Sequence, residues 1–257
     1  MALESTLLAN KTISLFDINY ALLLFFSTHL AYHFQGFFGY NASIKPFYSP
    51  RHLFYKIYKP QLPFIVAISG VLSLFFAFKC GFTVILYLVP VIIISALYNL
   101  KLGLFIGLRH IPYIKTFLIA FVWAYSLSFP FHVMYLHFPI IFIFIRNFLF
   151  VLAITIPFDL RDLNRDPNWL KTIPQILNEN DTRVLSITLL NLYFIISWMF
   201  NTHGYYLIGD FILFIIGSLL INITRPDQGD KLYLMGLDGL LILKFFVVYI
   251  LLWIQQS

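Results

Sequence analysis

Eight apolar stretches, at about 18–40, 62–78, 82–100, 112–131, 137–158, 184–200, 205–223 and 236–254, occupy most of this 257-residue chain. Each is near the ~20 residues that a helix needs to cross a bilayer. Lipid offers the backbone no hydrogen-bond partner, so such stretches must be helices that close their own bonds. The fold class that follows is all-α, a multi-pass transmembrane helical bundle of about eight spans. Charged residues make up only 11% of the chain, against roughly a quarter in soluble domains, which agrees with that reading. The second and third stretches are parted only by Lys79, Cys80 and Gly81, and the sixth and seventh by 201–204, so both pairs read as tight helical hairpins. No repeat, linker or low-complexity tract divides the chain, and 1–257 reads as a single transmembrane domain.

The charges orient this bundle. Thirteen Lys and Arg fall in the longer connections 41–61, 101–115, 159–183 and 224–235, whereas Lys11 and Lys79 lie on the opposite side. The positive-inside rule therefore puts the long connections in the cytoplasm. The reading is an integral multi-pass protein of a bacterial cytoplasmic membrane. The net charge of +6 is spread over these loops, which makes nucleic acid an improbable partner. One cysteine, Cys80, excludes an internal disulfide and a cysteine-based metal site. The first fifteen residues lack the basic start and compact apolar core of a signal peptide. Eight spans leave both ends outside, and this N-terminal stretch is too short and polar for a span, so either it lies at the interface or a first span is missing.

No Asp or Glu occurs between Asp17 and Asp159; then Asp159, Asp162 and Asp166 follow within eight residues, where the fifth apolar stretch meets a polar loop. On a helix these offsets fall within about 60° of one another, since each residue turns the helix by ~100°. Arg161 and Arg165 are expected to point the other way. Carboxylates on one face are hard oxygen ligands, and Mg²⁺ favours one or two of them completed by water and phosphate oxygens. Solvated loop residues paired with the two arginines are the competing explanation for the same spacing.

The motif Asp159-x-x-Asp162-x-x-x-Asp166, followed by Lys171-Thr172-Ile173-Pro174, resembles the second aspartate-rich motif of the UbiA superfamily of membrane prenyltransferases, in both intervals and in its Thr-x-Pro sequel. The placement is similar too. That family has nine helices with this motif in the cytoplasmic loop after the sixth, which is the fifth span here if the first helix is missing. Tyr98, Lys101 and Arg109 resemble the family's Tyr and Lys/Arg elements after its fourth helix. The family's first aspartate motif should map near Thr28 to Gln35, a stretch with no carboxylate but with His29, Tyr32 and His33. His29 and His33 stand at i and i+4, a spacing that can bind metal on one helix face, although imidazole is a poor Mg²⁺ ligand.

The resemblance implies departure of diphosphate from a prenyl chain and attack of an aromatic or lipid acceptor on the allylic cation. Asp159, Asp162 and Asp166 would hold Mg²⁺, with Lys101 and Arg109 stabilising the leaving group beside the catalytic Asp159 and Asp162. Tyr98, His29, Tyr32, His33 and Asp238 would bind substrate, Asp238 together with Tyr233. Aromatic rings would line an apolar tunnel. The partners implied are a prenyl diphosphate, a lipid-soluble acceptor and membrane lipids. A non-catalytic UbiA-like protein that binds isoprenoids or lipids is the alternative, favoured by the missing first motif. A solute transporter is a third reading, resting on Arg146, Asp210 and Lys244 within spans. For Arg146 and Asp210 an ion pair is the preferred explanation, and 225–231 reads as a solvated loop.

Overall fold

The computed structural model describes residues 15–42, 57–98, 107–108, 111–134, 140–163, 171–200, 204–226 and 228–256. Among these, all regular secondary structure is helical. The helices are α1 (Leu15–Ala42), α2 (Leu62–Cys80), α3 (Phe82–Tyr98), α4 (Ile114–Met134), α5 (Ile140–Asp162), α6 (Ile173–Ile176), α7 (Glu179–Phe200), α8 (Gly204–Asn222) and α9 (Gly239–Gln256). A π-helical turn, Leu232–Leu237, precedes α9. Leaving aside the four-residue α6, the long helices coincide with the eight apolar stretches. The chain is an integral membrane protein with an all-α fold.

One boundary differs instructively. Hydropathy begins the sixth span near 184, but α7 starts at Glu179. Asn178 supplies the reason: its Oδ1 accepts the Asp181 N–H at 2.8 Å and its carbonyl accepts the Thr182 N–H at 3.0 Å, so a polar turn is held in helical form ahead of the apolar run. Arg183 then donates to the Thr224 carbonyl at 2.5 Å and to Asn180 Oδ1 at 2.7 Å, tying the start of α7 to the end of α8.

The described residues form two compact units, one carrying α1–α3 and one carrying α4–α9. In the first, α1 runs along α2. Their seam uses small polar residues that permit close approach: Ser69 and Ser73 are buried, Ser27 donates to Ser73 Oγ at 3.4 Å, and Phe26 stacks on Phe76. Gly81 turns α2 into α3 at φ 95°, a conformation that side-chain-bearing residues rarely adopt, and its N–H caps the Ala77 and Phe78 carbonyls. Phe64, Ile68, Val71, Phe75, Phe78, Leu86 and Ile92 are exposed, as expected of faces that meet acyl chains.

In the second unit α5 is central, packing on α4 and α7, while α8 bridges α7 and α9. Its stretch Phe150 to Ile154, with Ile156 and Leu160, is buried, joined in the core by Ala120, Leu190, Tyr193, Leu213, Tyr233 and Leu240. Gly217 lets α8 approach α7 so closely that a Cβ there would lie 2.8 Å from Leu190 Cδ2.

Three charged residues within the spans, Arg146, Asp210 and Lys244, have partners. Arg146 Nη1 lies 3.8 Å from Asp210 Oδ2, the ion pair expected from the sequence. Tyr193 donates its hydroxyl to the other carboxylate oxygen of Asp210. Lys244, fully buried, lies 4.6 Å from the centre of the Phe150 ring and 4.9 Å from that of Tyr193. Cations over ring faces and a hydrogen-bonded carboxylate offset much of the desolvation that these charges suffer.

Candidate functional site

The site is built at the end of α5. Pro157 has no N–H to offer the carbonyl one turn earlier, which loosens the helix just before its last turn. That turn carries Phe158, Asp159, Leu160, Arg161 and Asp162. Asp159, only 2% exposed, and Asp162, half-buried, lie one turn apart on a shared face, as their spacing predicts. Buried carboxylates require cations or hydrogen-bond donors. Because α4 and α5 are packed neighbours, the first turn of α4 can supply one: Lys115 Nζ lies 3.0 Å from Asp159 Oδ1 and 3.5 Å from Asp162 Oδ2. A cation beside the last turn of α5 is also favoured by the helix dipole.

Arg161 does not point away from this face, contrary to the sequence expectation. It is 8% exposed, and Nε donates to Asp162 Oδ1 at 2.9 Å while Nη2 donates to Asp162 Oδ2 at 3.2 Å. The long side chain folds back because a guanidinium turned into the packed interior would be buried without a counter-charge. It also lies against a pair of mutually packed rings, 5.0 Å from Phe158 and 5.6 Å from Tyr233, and Asp230 lies 3.8 Å from Nε. Tyr233 donates its hydroxyl to the Arg225 carbonyl at 2.8 Å, and its ring packs on Phe158, so Arg225 is tied to a residue that contacts α5. Burial pushes the Tyr233 phenol up to about 12, with nearby Arg161 acting in the opposite direction. The expected solvated loop is therefore partly anchored, and its Asp230 and Tyr233 reach the carboxylate cluster through Arg161. Asp238, half-buried, donates its backbone N–H to the Tyr233 carbonyl at the end of the π turn. Such turns recur near functional sites.

Downstream, the Thr-x-Pro segment forms α6. Thr172 is its N-cap, with its backbone N–H donated to Gln175 Oε1 at 3.2 Å, and the Lys171 carbonyl accepts the Tyr113 N–H at 3.0 Å. That last bond holds the approach to α4, and so Lys115, beside the segment that follows the aspartates. An open cavity of about 850 Å³, lined by Tyr113, Leu163, Lys171, Pro174, Gln175 and Ile176, adjoins this junction.

The histidines lie in the other unit. His29 Nδ1 is 2.7 Å from Ser69 Oγ, and Ser69 donates its own proton to the Ile65 carbonyl at 2.7 Å. His29 must therefore be the donor at Nδ1, which leaves its Nε2 to accept from His33 Nε2–H at 3.0 Å. The pair is thus a hydrogen-bonded chain anchored on α2, with the two ring nitrogens facing each other. Tyr32 is exposed on α1, and Tyr98 ends α3. Lys101, Arg109, Arg165 and Asp166 lie outside the described residues.

Among the described residues no group of three or more His, Cys, Asp or Glu is arranged to hold a metal ion. Asp159 and Asp162 alone still offer the one or two carboxylates that Mg²⁺ takes alongside water and phosphate oxygens, so the donor set fits a single ion that shares its shell with a substrate. Sequence reasoning missed Lys115 and Asp230. A basic residue in the first turn of a span that follows a basic loop was the available signal for Lys115; nothing local singles out Asp230.

No family model matches the chain, and no curated protein matches it. Among solved structures it is similar to that of a digeranylgeranylglyceryl phosphate synthase in membranes, a UbiA-family prenyltransferase. The TM-score is 0.61 at 16% identity, covering 98% of this chain and 90% of that one. At that identity the likeness establishes the fold, and it extends over nearly the whole chain.

Proposed function

On the premise that this chain has the fold of the UbiA-type membrane prenyltransferases, we propose that it transfers an isoprenoid chain from a prenyl diphosphate to an aromatic or lipid acceptor within the membrane. The observation that carries this reading is the buried Asp159/Asp162 face at the end of α5, bridged by Lys115. Asp159 and Asp162 would hold Mg²⁺, with Asp166 contributing from the following segment as the family motif implies. Bound there, the ion neutralises charge on the diphosphate and so favours its departure.

The chain's own residues account for the rest. The bond between the allylic carbon and the diphosphate oxygen breaks with its electron pair going to oxygen, and Lys115, with Lys101 and Arg109 from the preceding connection, stabilises the charge that collects there. The acceptor then bonds to the allylic cation and gives up a proton. Arg161 keeps Asp162 oriented, while Phe158 and Tyr233 hold Arg161 in place. Tyr98, Tyr32, His29, His33 and Asp238 are the further candidates for substrate contact. The long connections that carry the site face the cytoplasm on this reading, and a bacterial cytoplasmic membrane is the proposed setting. On this reading 1–257 works as a single transmembrane domain.

The test is to incubate the purified chain with labelled prenyl diphosphates of several lengths and a panel of acceptors, with and without Mg²⁺. A prenylated product that requires both Mg²⁺ and Asp159 supports transfer. Binding of the prenyl diphosphate with no product under any condition supports the second reading, an isoprenoid- or lipid-binding relative. One observation favours that reading: His29 and His33, in the stretch where the resemblance would put the family's first carboxylate motif, are engaged with Ser69 and each other.

A further inference from the structure

A bridging ammonium and a divalent ion compete for the Asp159/Asp162 pair. Lys115 Nζ already lies 3.0 Å from one carboxylate and 3.5 Å from the other. Mg²⁺ bound to the same oxygens would need them at about 2.0–2.1 Å, in the space where the ammonium sits. The competitor is a movable one. Lysine carries a compact charge on a flexible four-carbon stem, whereas Arg161 is fixed by its two bonds to Asp162 and by its contacts with the Phe158 and Tyr233 rings. Lys115 is also at the rim, 12% exposed in the first turn of α4, so the ammonium has somewhere to go.

The charges show what its departure requires. Among the described residues Asp159, Asp162 and Asp230 face Lys115 and Arg161 in one network, three negative charges against two positive. A divalent ion arriving by itself gains two carboxylates but strips a half-buried ammonium of its counter-charges, which offsets much of the gain. Arriving with a diphosphate it incurs no such loss, because the displaced ammonium pairs with a diphosphate oxygen.

We propose that Lys115 couples metal loading to diphosphate loading: it guards the two aspartates as an internal cation and transfers to the diphosphate when the two arrive together. This rests on the prenyl diphosphate reading and adds its order of assembly. Metal and diphosphate then raise each other's affinity by the same factor, as linkage demands. Lys115 thus touches the carboxylates in one state and the diphosphate in the other, and the signature of this exchange is a metal affinity rather than a rate.

The experiment uses the full chain in detergent, with Mn²⁺ as probe counted by the magnetic resonance signal of the unbound ion, and labelled inorganic diphosphate followed by equilibrium dialysis. The wild type should bind Mn²⁺ weakly by itself, and Mn²⁺ should strengthen diphosphate binding. Lys115→Met should bind Mn²⁺ alone about tenfold more tightly or better, since the competing charge is gone, and should lose most of the mutual enhancement. Lys115→Arg, which keeps the charge, should stay closer to wild type, and Lys115→Gln serves if the Met variant fails to fold. Asp159→Asn added to Lys115→Met should remove the gained Mn²⁺ binding. If wild type takes Mn²⁺ and diphosphate together but Lys115→Met binds Mn²⁺ no more tightly than wild type, the role of Lys115 is overturned while the diphosphate reading stands. If neither protein binds Mn²⁺ or diphosphate under any condition, both fall.

Discussion

Arg161 grips its sequence neighbour Asp162 through two contacts, Nε to Oδ1 at 2.9 Å and Nη2 to Oδ2 at 3.2 Å, and so braces one carboxylate of the candidate site from within the same helical turn. Two-point guanidinium–carboxylate pairs are directional as well as strong. Removing the guanidinium would leave Asp162 and Asp230 near each other with less compensating charge. Arg161→Ala should therefore destabilise the folded chain by about 3 kcal/mol. Arg161→Lys should recover only part of this, because an ammonium can neither form the fork nor pack against Phe158 and Tyr233 in the same way. Thermal unfolding in detergent, compared across the three proteins, measures the difference.

The second prediction concerns the polar cluster inside the bundle. Arg146→Asp and Asp210→Arg each place like charges together among Tyr193 and Lys244, and each should sharply lower the yield of folded protein. The exchange of the two residues should restore yield above either single variant, because close pairs do not act additively. Size-exclusion profiles of detergent extracts read the outcome; an exchange that fares no better than the worse single variant removes the pair from the account. Tyr193→Phe, which loses only the hydroxyl bond to Asp210, should cost about 1–2 kcal/mol.

Much of this architecture was legible because bilayers make hydropathy decisive: a stretch such as 137–158 has no stable alternative to a helix in lipid. The start of α7 was not legible by that route, since Glu179 to Arg183 is polar and its helical state depends on the Asn178 cap. The same division holds at the site. Asp159 and Asp162 share a face for reasons internal to one helix, so their spacing revealed it. Lys115 joins them only because α4 packs on α5, a tertiary fact with no trace in local spacing. Arg161 was misplaced for a related reason: helical angle fixes where a Cβ points, but a long side chain at a helix end can fold back to the charge it needs.

The third prediction follows from Tyr233. Its phenol ionises near 10 in an unfolded chain, and burial raises this to about 12 in the folded one. The raised value means that the neutral phenol is favoured by the fold. Its contribution to stability is fully present below pH 10 and is lost as pH rises through about 12. The alkaline difference spectrum of wild type minus Tyr233→Phe should show one phenolate appearing near pH 12 rather than near 10. Resistance to thermal unfolding should fall over the same interval in wild type and less in the variant.

The fourth prediction separates the two aspartates. Asp159 is the more deeply buried, whereas Asp162 is shared between Lys115 and Arg161. If transfer depends on a metal held by both, Asp159→Asn and Asp162→Asn should each lower kcat by about a hundredfold or more. Raising Mg²⁺ should rescue Asp162→Asn in part and Asp159→Asn little. Initial rates of diphosphate release against Mg²⁺ concentration test this ranking.

The most direct measurement is retention of a labelled long-chain prenyl diphosphate by the purified chain as Mg²⁺ is varied, set beside the same measurement on Asp159→Asn. The account predicts binding that rises with Mg²⁺ in the wild type and is flat in the variant. Retention that ignores both Mg²⁺ and the loss of the Asp159 charge, or no retention at all, would contradict it.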